Sequence, residues 1–293
     1  MVTEPQGFLV EVDTVDRIHF LDWGEPPAGA EADRSPLVVL VHGLAQSGLV
    51  WLPVARRLRG ERRVVAPDLR GHGLSDSPTH GYDEATLAAD LLAVIDGARD
   101  ASGRTLVVGH GFGAIVAAWT AAALGDRCAG LVLVDGGWED VRETSGLEPD
   151  EFLRLIEEPP EVLRSMGAYL ADRASFDPGS WDADQERAAR AAVVEVPAGK
   201  VVSSTRPHAL AASVQAMFSY RPSQVLASVT APIVALRAAD DEAGSSGAAL
   251  AAVQARLAEA RRPPIRTVHF PGSGHNLMRY RPAEVAEAIL GLA

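Results

Sequence analysis

The chain has 293 residues, 47% of them hydrophobic and 23% charged, with 27 basic against 39 acidic side chains for a net charge of −12. This is the profile of a globular protein with a sizeable core, and its acid surplus argues against nucleic acid as a partner. A lone cysteine, Cys128, forbids an internal disulfide and any CxxC site, and a single lysine, Lys200, leaves no Walker A loop.

In chain order, short β-branched runs alternate with longer helical patterns, the signature of a mostly parallel sheet covered by helices. Strands are predicted at Phe8–Val12, Arg17–Trp23, Leu37–Val41, Arg63–Ala66, Thr105–Val108, Leu131–Val134, Ile233–Leu236 and Ile265–His269. Helices are predicted near Leu49–Leu58, Glu84–Ala98, Gly113–Leu124, Leu250–Ala260 and Ala283–Leu290. The first two strands, joined at Thr14–Asp16, read as an antiparallel hairpin. From Trp138 to about Val229 only helical patterns occur, at Pro149–Glu157, Glu161–Ala171, Asp184–Val194 and Pro207–Tyr220. The expectation is an α/β core formed by residues 1–138 and 223–293, with a helical cap, 139–222, over the carboxyl edge of the sheet, where open α/β sheets bind ligands.

The opening residues carry an acid and a proline where a secretory leader has basic charge and then an apolar run. The longest apolar stretch, Ala114 to Leu124, is shorter than the roughly 20 residues of a membrane span. A cytoplasmic protein with no membrane partner is expected.

Four motifs carry chemistry. Leu40-Val-His42-Gly43 follows one strand, and Asp68-Leu-Arg-Gly-His72-Gly-Leu-Ser-Asp76 follows the next. Gly109-His110-Gly111-Phe112-Gly113 joins a strand to a helix, and Pro271-Gly-Ser-Gly274-His275-Asn276 lies near the end. In this order they make the chain similar to the α/β-hydrolase superfamily, in particular to its capped small-molecule hydrolases. The resemblance spans nearly the whole chain and implies an eight-stranded, mostly parallel sheet flanked by helices.

The resemblance also assigns a site. It implies His275 as the general base, with an orienting acid at Asp240, after the strand that ends at Leu236; Asp135, directly after Leu131–Val134, is the alternative. The amides of Leu44 and Phe112 correspond to an oxyanion hole. His42, His72 and His110 correspond to histidines that bond loop backbone, and neither metal nor cofactor is implied. His208, on a cap helix, reads as a partly exposed residue that is able to face the substrate.

The departure is at the family's central residue. The family pattern G-x-Nu-x-G places Ser, Asp or Cys where this chain has Gly111. That turn costs a non-glycine residue about 1–3 kcal/mol of backbone strain, which glycine avoids. The change fits a protein that has dispensed with a covalent step, and it equally fits an engineered variant of a serine hydrolase.

A rival pattern overlaps the same turn. Gly109-x-Gly111-x-x-Ala114, between a strand and a helix and followed by Asp135, matches the dinucleotide fingerprint. It leaves His42-Gly43, Asp68–Asp76 and Gly274-His275 without a role, all of which the hydrolase resemblance uses. The expected function is therefore an enzyme in which His275 and its acid activate water against a small reactive carbonyl compound: a lactone, an activated ester or a β-dicarbonyl. Two alternatives stand beside it. One is proton abstraction leading to cyclisation, elimination or cofactor-free oxygenation; the other is ligand binding without turnover.

Overall fold

The computed structural model describes residues 4–26, 35–98, 102–157, 165–197, 199–238 and 245–292. Eight strands form one sheet: β1 (Gln6–Glu11), β2 (Arg17–Asp22), β3 (Leu37–Val41), β4 (Val64–Pro67), β5 (Thr105–His110), β6 (Cys128–Val134), β9 (Ile233–Arg237) and β10 (Arg266–His269), in the order β1-β2-β4-β3-β5-β6-β9-β10. β1 pairs antiparallel with β2, and β2 antiparallel with β4. All pairings from β4 to β10 are parallel. This is the α/β-hydrolase arrangement expected from the sequence.

The central strands read as unbroken apolar runs because both faces are covered. Along β3, Leu37, Val39 and Val41 enter one core with α2 (Glu84–Ala98), α3 (Phe112–Leu124) and α10 (Ser245–Glu259). Val38 and Leu40 enter the opposite core with α1 (Leu52–Leu58) and α12 (Pro282–Leu290). Cys128 is buried and its thiol is pushed up to about 11 by burial, so it packs as a small apolar side chain.

The segment between β6 and β9 departs from the all-helical expectation. It contains α4 (Val141–Ser145), α5 (Pro149–Ile156), α6 (Met166–Ser175), α7 (Ala183–Ala191), α8 (Pro207–Ser219) and α9 (Pro222–Ser228). It also contains an antiparallel pair, β7 (Val193–Val196) with β8 (Lys200–Ser203). The physical reason is local. β-branched residues, Val193, Val194 and Val196 before the turn and Val201 and Val202 after it, flank Pro197-Ala198-Gly199, and Gly199 takes a positive φ of 67° that suits a tight hairpin turn. The start of the helix expected at Glu161–Ala171 lies outside the described residues.

Candidate active site

Each chemical motif sits at the carboxyl end of a parallel strand, so the loops converge on one edge of the sheet. Between β5 and α3 the chain turns at Gly111, with φ 53° and ψ −118°. Its N–H donates to the Val134 carbonyl at 3.2 Å, and its own carbonyl accepts from Ala114 N at 3.0 Å. The flanking glycines are required by close approach. A Cβ at Gly109 would come within 2.2 Å of the Gly113 carbonyl oxygen, and one at Gly113 within 2.2 Å of the His42 carbonyl oxygen. Close approach within the turn at Gly109, and to the backbone at the end of β3 at Gly113, thus accounts for these glycines.

A Cβ at Gly111 would meet no backbone. It would point at His275, ending 3.3 Å from Nε2 and 3.7 Å from Cε1. The other ring nitrogen, Nδ1, lies 2.6 Å from Oδ2 of Asp135. Donation from Nδ1–H to the carboxylate leaves the Nε2 lone pair facing Gly111.

Asp135 is itself tightly placed. It follows β6 directly and has a positive φ of 46°, unusual for a residue with a side chain. Its N–H donates to the Leu236 carbonyl at 2.8 Å, and its Oδ1 accepts from Ala238 N at 2.8 Å. Both carboxylate oxygens are therefore engaged, one fixing the acid and the other the imidazole. The acid preferred from sequence, Asp240, lies outside the described residues. Among the described residues the carboxylate on Nδ1 is that of Asp135, the alternative acid read from the sequence.

Three further contacts hold the His275 loop. His110 Nε2 lies 3.1 Å from the His275 carbonyl oxygen, and the two rings are 4.4 Å apart. Gln46 accepts from Gly43 N at 3.0 Å and donates to Asn276 Oδ1 at 3.0 Å, tying the Gly43–Leu44 loop to the histidine loop. Arg279, in α11 (Leu277–Tyr280), donates to Ser180 Oγ and to the carbonyls of Asp177 and Arg173 at 2.8, 3.0 and 3.3 Å, binding the loop to the inserted segment. Sequence reasoning assigned no role to Gln46 or Arg279. Their partners are distant in sequence, and no local pattern marks them.

Leu44 and Phe112, whose amides the family resemblance assigns to an oxyanion hole, lie on the loops after β3 and β5. Phe112 is the first residue of α3, where an N–H has no intrahelical partner and the helix dipole favours negative charge. Both residues line the cavity described below.

His42, His72 and His110 bond loop backbone. His42 takes the Gly43 carbonyl on Nδ1 at 2.7 Å and the Leu69 N–H on Nε2 at 2.9 Å. These bonds select the neutral tautomer protonated at Nδ1, and burial pushes its pKa down. His72 donates to the Arg70 carbonyl, and burial with the neighbouring His42 lowers it to about 3. Burial and the nearby His275 hold His110 well below its usual value. His208 is exposed and bonds Ser77 Oγ at 3.2 Å. Among the described residues no group of three or more His, Cys, Asp or Glu side chains is placed to hold a metal.

Above the dyad opens a cavity of about 1100 Å³. Its floor includes Gly111, Asp135 and His275. Its walls include Phe152, Ile156, Tyr169, Val201, Leu210 and Met217 from the inserted segment. Phe152, Ile156, Tyr169 and Met217 line the cavity, whereas Leu155 is exposed and Phe218 is buried against Phe152. Glu139, four residues beyond Asp135, also faces the cavity. Burial raises its pKa, and the nearby Asp135 charge acts in the same direction, opposed by a bond from Ser246 and by His275.

Residues 38–288 match the model of the Alpha/beta hydrolase family, and the chain belongs to that family. It is 30% identical over 263 residues to 2-(acetamidomethylene)succinate hydrolase of Mesorhizobium japonicum, covering 88% of each chain. It is 44% identical to epoxide hydrolase B of Mycobacterium tuberculosis over 105 residues, 34% of this chain and 28% of that one. Among solved structures, E-2-(acetamidomethylene)succinate hydrolase superposes with a TM-score of 0.74 at 23% identity, covering 98% of both chains. The thioesterase domain from the curacin biosynthetic pathway gives 0.70 at 22% identity, covering 98% of this chain and 99% of that one. No helix among the described residues is long and apolar enough to cross a membrane.

Proposed function

We propose that this family member hydrolyses a small reactive carbonyl compound without forming a covalent enzyme intermediate. The observation that carries this reading is the space between Gly111 and Nε2 of His275, where a Cβ would stand 3.3 Å from the base. A water in that space donates a proton to Nε2 as its oxygen attacks the substrate carbonyl. The C–O bond forms, the carbonyl electron pair moves onto oxygen, and the amides of Leu44 and Phe112 stabilise the resulting charge. Asp135 keeps the imidazole in the required tautomer and stabilises the imidazolium. Collapse of the adduct breaks the bond to the leaving group.

Magnitudes bound the substrate. General-base catalysis supplies about 10²–10⁴ and an oxyanion donor about 10²–10³, short of what a slow amide hydrolysis requires. Lactones, activated esters and β-dicarbonyls lie within that range. The inserted segment serves as the cap that closes an apolar pocket over the dyad, and the partner is a small molecule. A relative covering 88% of the chain is named 2-(acetamidomethylene)succinate hydrolase, which supports hydrolysis over simple proton abstraction.

The test is turnover of p-nitrophenyl acetate and δ-valerolactone by the wild type and by His275→Ala. The wild type should hydrolyse both, and His275→Ala should lose about 10²–10⁴ of the rate. A wild type that binds such compounds without turnover would make the protein a ligand-binding member of the family.

A further inference from the structure

Two side-chain amides in the cavity have their orientation set by the backbone. Gly43 N donates to Gln46 Oε1 at 3.0 Å, and a backbone N–H can only donate. The Gln46 oxygen is therefore committed to Gly43, and its Nε2 donates to Asn276 Oδ1 at 3.0 Å. Asn276 in turn has its oxygen committed to Gln46, which leaves the N–H donors of its Nδ2 outside this chain of bonds. Among the described residues Nδ2 has no partner, and Asn276 lines the cavity next to His275.

The groups around the dyad are acceptors or are already occupied. Asp135 accepts from His275 and from Ala238 N, and His275 presents the Nε2 lone pair. His110 Nε2 bonds the His275 carbonyl. Thr144 and Ser145, also on the cavity lining, donate to the carbonyls of Asp140 and Val141. A substrate oxygen brought from water into this space is costly unless a donor meets it, and Asn276 supplies one. Its amide is two hydrogen bonds away from Gly43, the residue before Leu44.

A 1,3-dicarbonyl compound with both C=O groups turned to one side carries its second oxygen next to the first. With the attacked carbonyl on the Leu44 and Phe112 amides, that second oxygen falls on the side of the loop to which Asn276 is tied. We propose that Asn276 Nδ2 donates to this second oxygen and so selects 1,3-dicarbonyl compounds, an inference that rests on the hydrolytic reading above and narrows its substrate class. A compound without the second oxygen leaves the amide unpaired against an apolar group, which costs affinity.

The test compares α-acetyl-γ-butyrolactone with α-ethyl-γ-butyrolactone, which lacks only the ketone oxygen. The ratio of their kcat/KM values is measured for the wild type and two variants. Asn276→Asp still accepts from Gln46 but has no donor for the substrate. Gln46→Glu offers only acceptors, so Asn276 turns its NH2 toward position 46 and its oxygen toward the cavity. Each variant should cut the preference for the acetyl lactone about tenfold, through the loss of one hydrogen bond. A preference that survives either change would overturn the assignment, since a merely structural role lowers both rates alike. A wild type that opens neither lactone would overturn the hydrolytic reading, and the donor is then decided without turnover, by calorimetric titration of His275→Ala. There the acetyl lactone should bind about tenfold more tightly than the ethyl lactone, and adding Asn276→Asp should remove the difference. Equal binding of the two lactones by His275→Ala would overturn the donor role even if the dyad proved active.

Discussion

Gly111 and His275 face one another across a gap that a single side-chain atom would nearly close. The Cβ direction of Gly111 ends 3.3 Å from Nε2, while the opposite edge of the same imidazole is held by Asp135 at 2.6 Å. A base is thus oriented toward an open position, with the Phe112 N–H at the first turn of a 13-residue helix beside it. In the proposed reaction the water takes the place that a nucleophilic side chain would fill.

Asp135→Asn tests the dyad. The amide presents either an acceptor or a donor to Nδ1, and donation would fix the tautomer with the proton on Nε2, unable to accept from water. The same change also weakens stabilisation of the imidazolium, so turnover should fall by about 10³–10⁴. Binding of a substrate analogue should change little, because the cavity walls are untouched. Retained turnover would return the role to another acid, such as Asp240.

Three buried histidines set an acid limit on stability. In the folded chain burial, the largest cause in each, holds His42, His72 and His110 below the ordinary imidazole value of 6.5, His72 at about 3. In the unfolded chain they take up protons near 6.5, while the folded chain keeps them neutral. The unfolded state therefore binds more protons below that pH, and stability falls as pH drops from about 6.5 toward the folded-state values. Tm measured across this interval should fall, and His72→Gln should flatten the slope relative to the wild type.

Arg279 joins the histidine loop to the inserted segment through Ser180, Asp177 and Arg173, with its guanidinium 5.4 Å from the Trp181 ring and 5.3 Å from the Tyr280 ring. Arg279→Gln removes these bonds and leaves carbonyls short of donors, which should cost about 1–3 kcal/mol. Hydrogen exchange should quicken in residues 173–181 more than in the sheet. An unchanged exchange pattern would mean that the two parts are held together elsewhere.

Much of the core was legible because local chemistry and final environment agree. Leu37–Val41 is a β-branched run buried on both faces, and it lies where it was read, as does helix Glu84–Ala98. The elbow and the His275 loop were legible because each is a short local run of glycines around a histidine that directly follows a strand or its loop. The orienting acid was legible only as a choice between Asp240 and Asp135, because the two strands they follow pair with each other, and the 2.6 Å contact of Asp135 with the ring depends on the path of the chain after β6. The β7–β8 hairpin was missed because valines inside a polar, alanine-rich stretch fit a helical face as well as a strand.

The absence of a covalent step is tested most directly by mass spectrometry of protein quenched during turnover of p-nitrophenyl acetate, with the wild type and Gly111→Ser compared side by side. The introduced hydroxyl would lie between His275 and the Leu44 and Phe112 amides, at a strain cost of about 1–3 kcal/mol that should also lower Tm. The account predicts hydrolysis by the wild type with the protein at its unmodified mass, and one added acetyl group on Gly111→Ser at the substituted position. An acetyl adduct that accumulates and decays on the wild-type chain at the rate of turnover would contradict it.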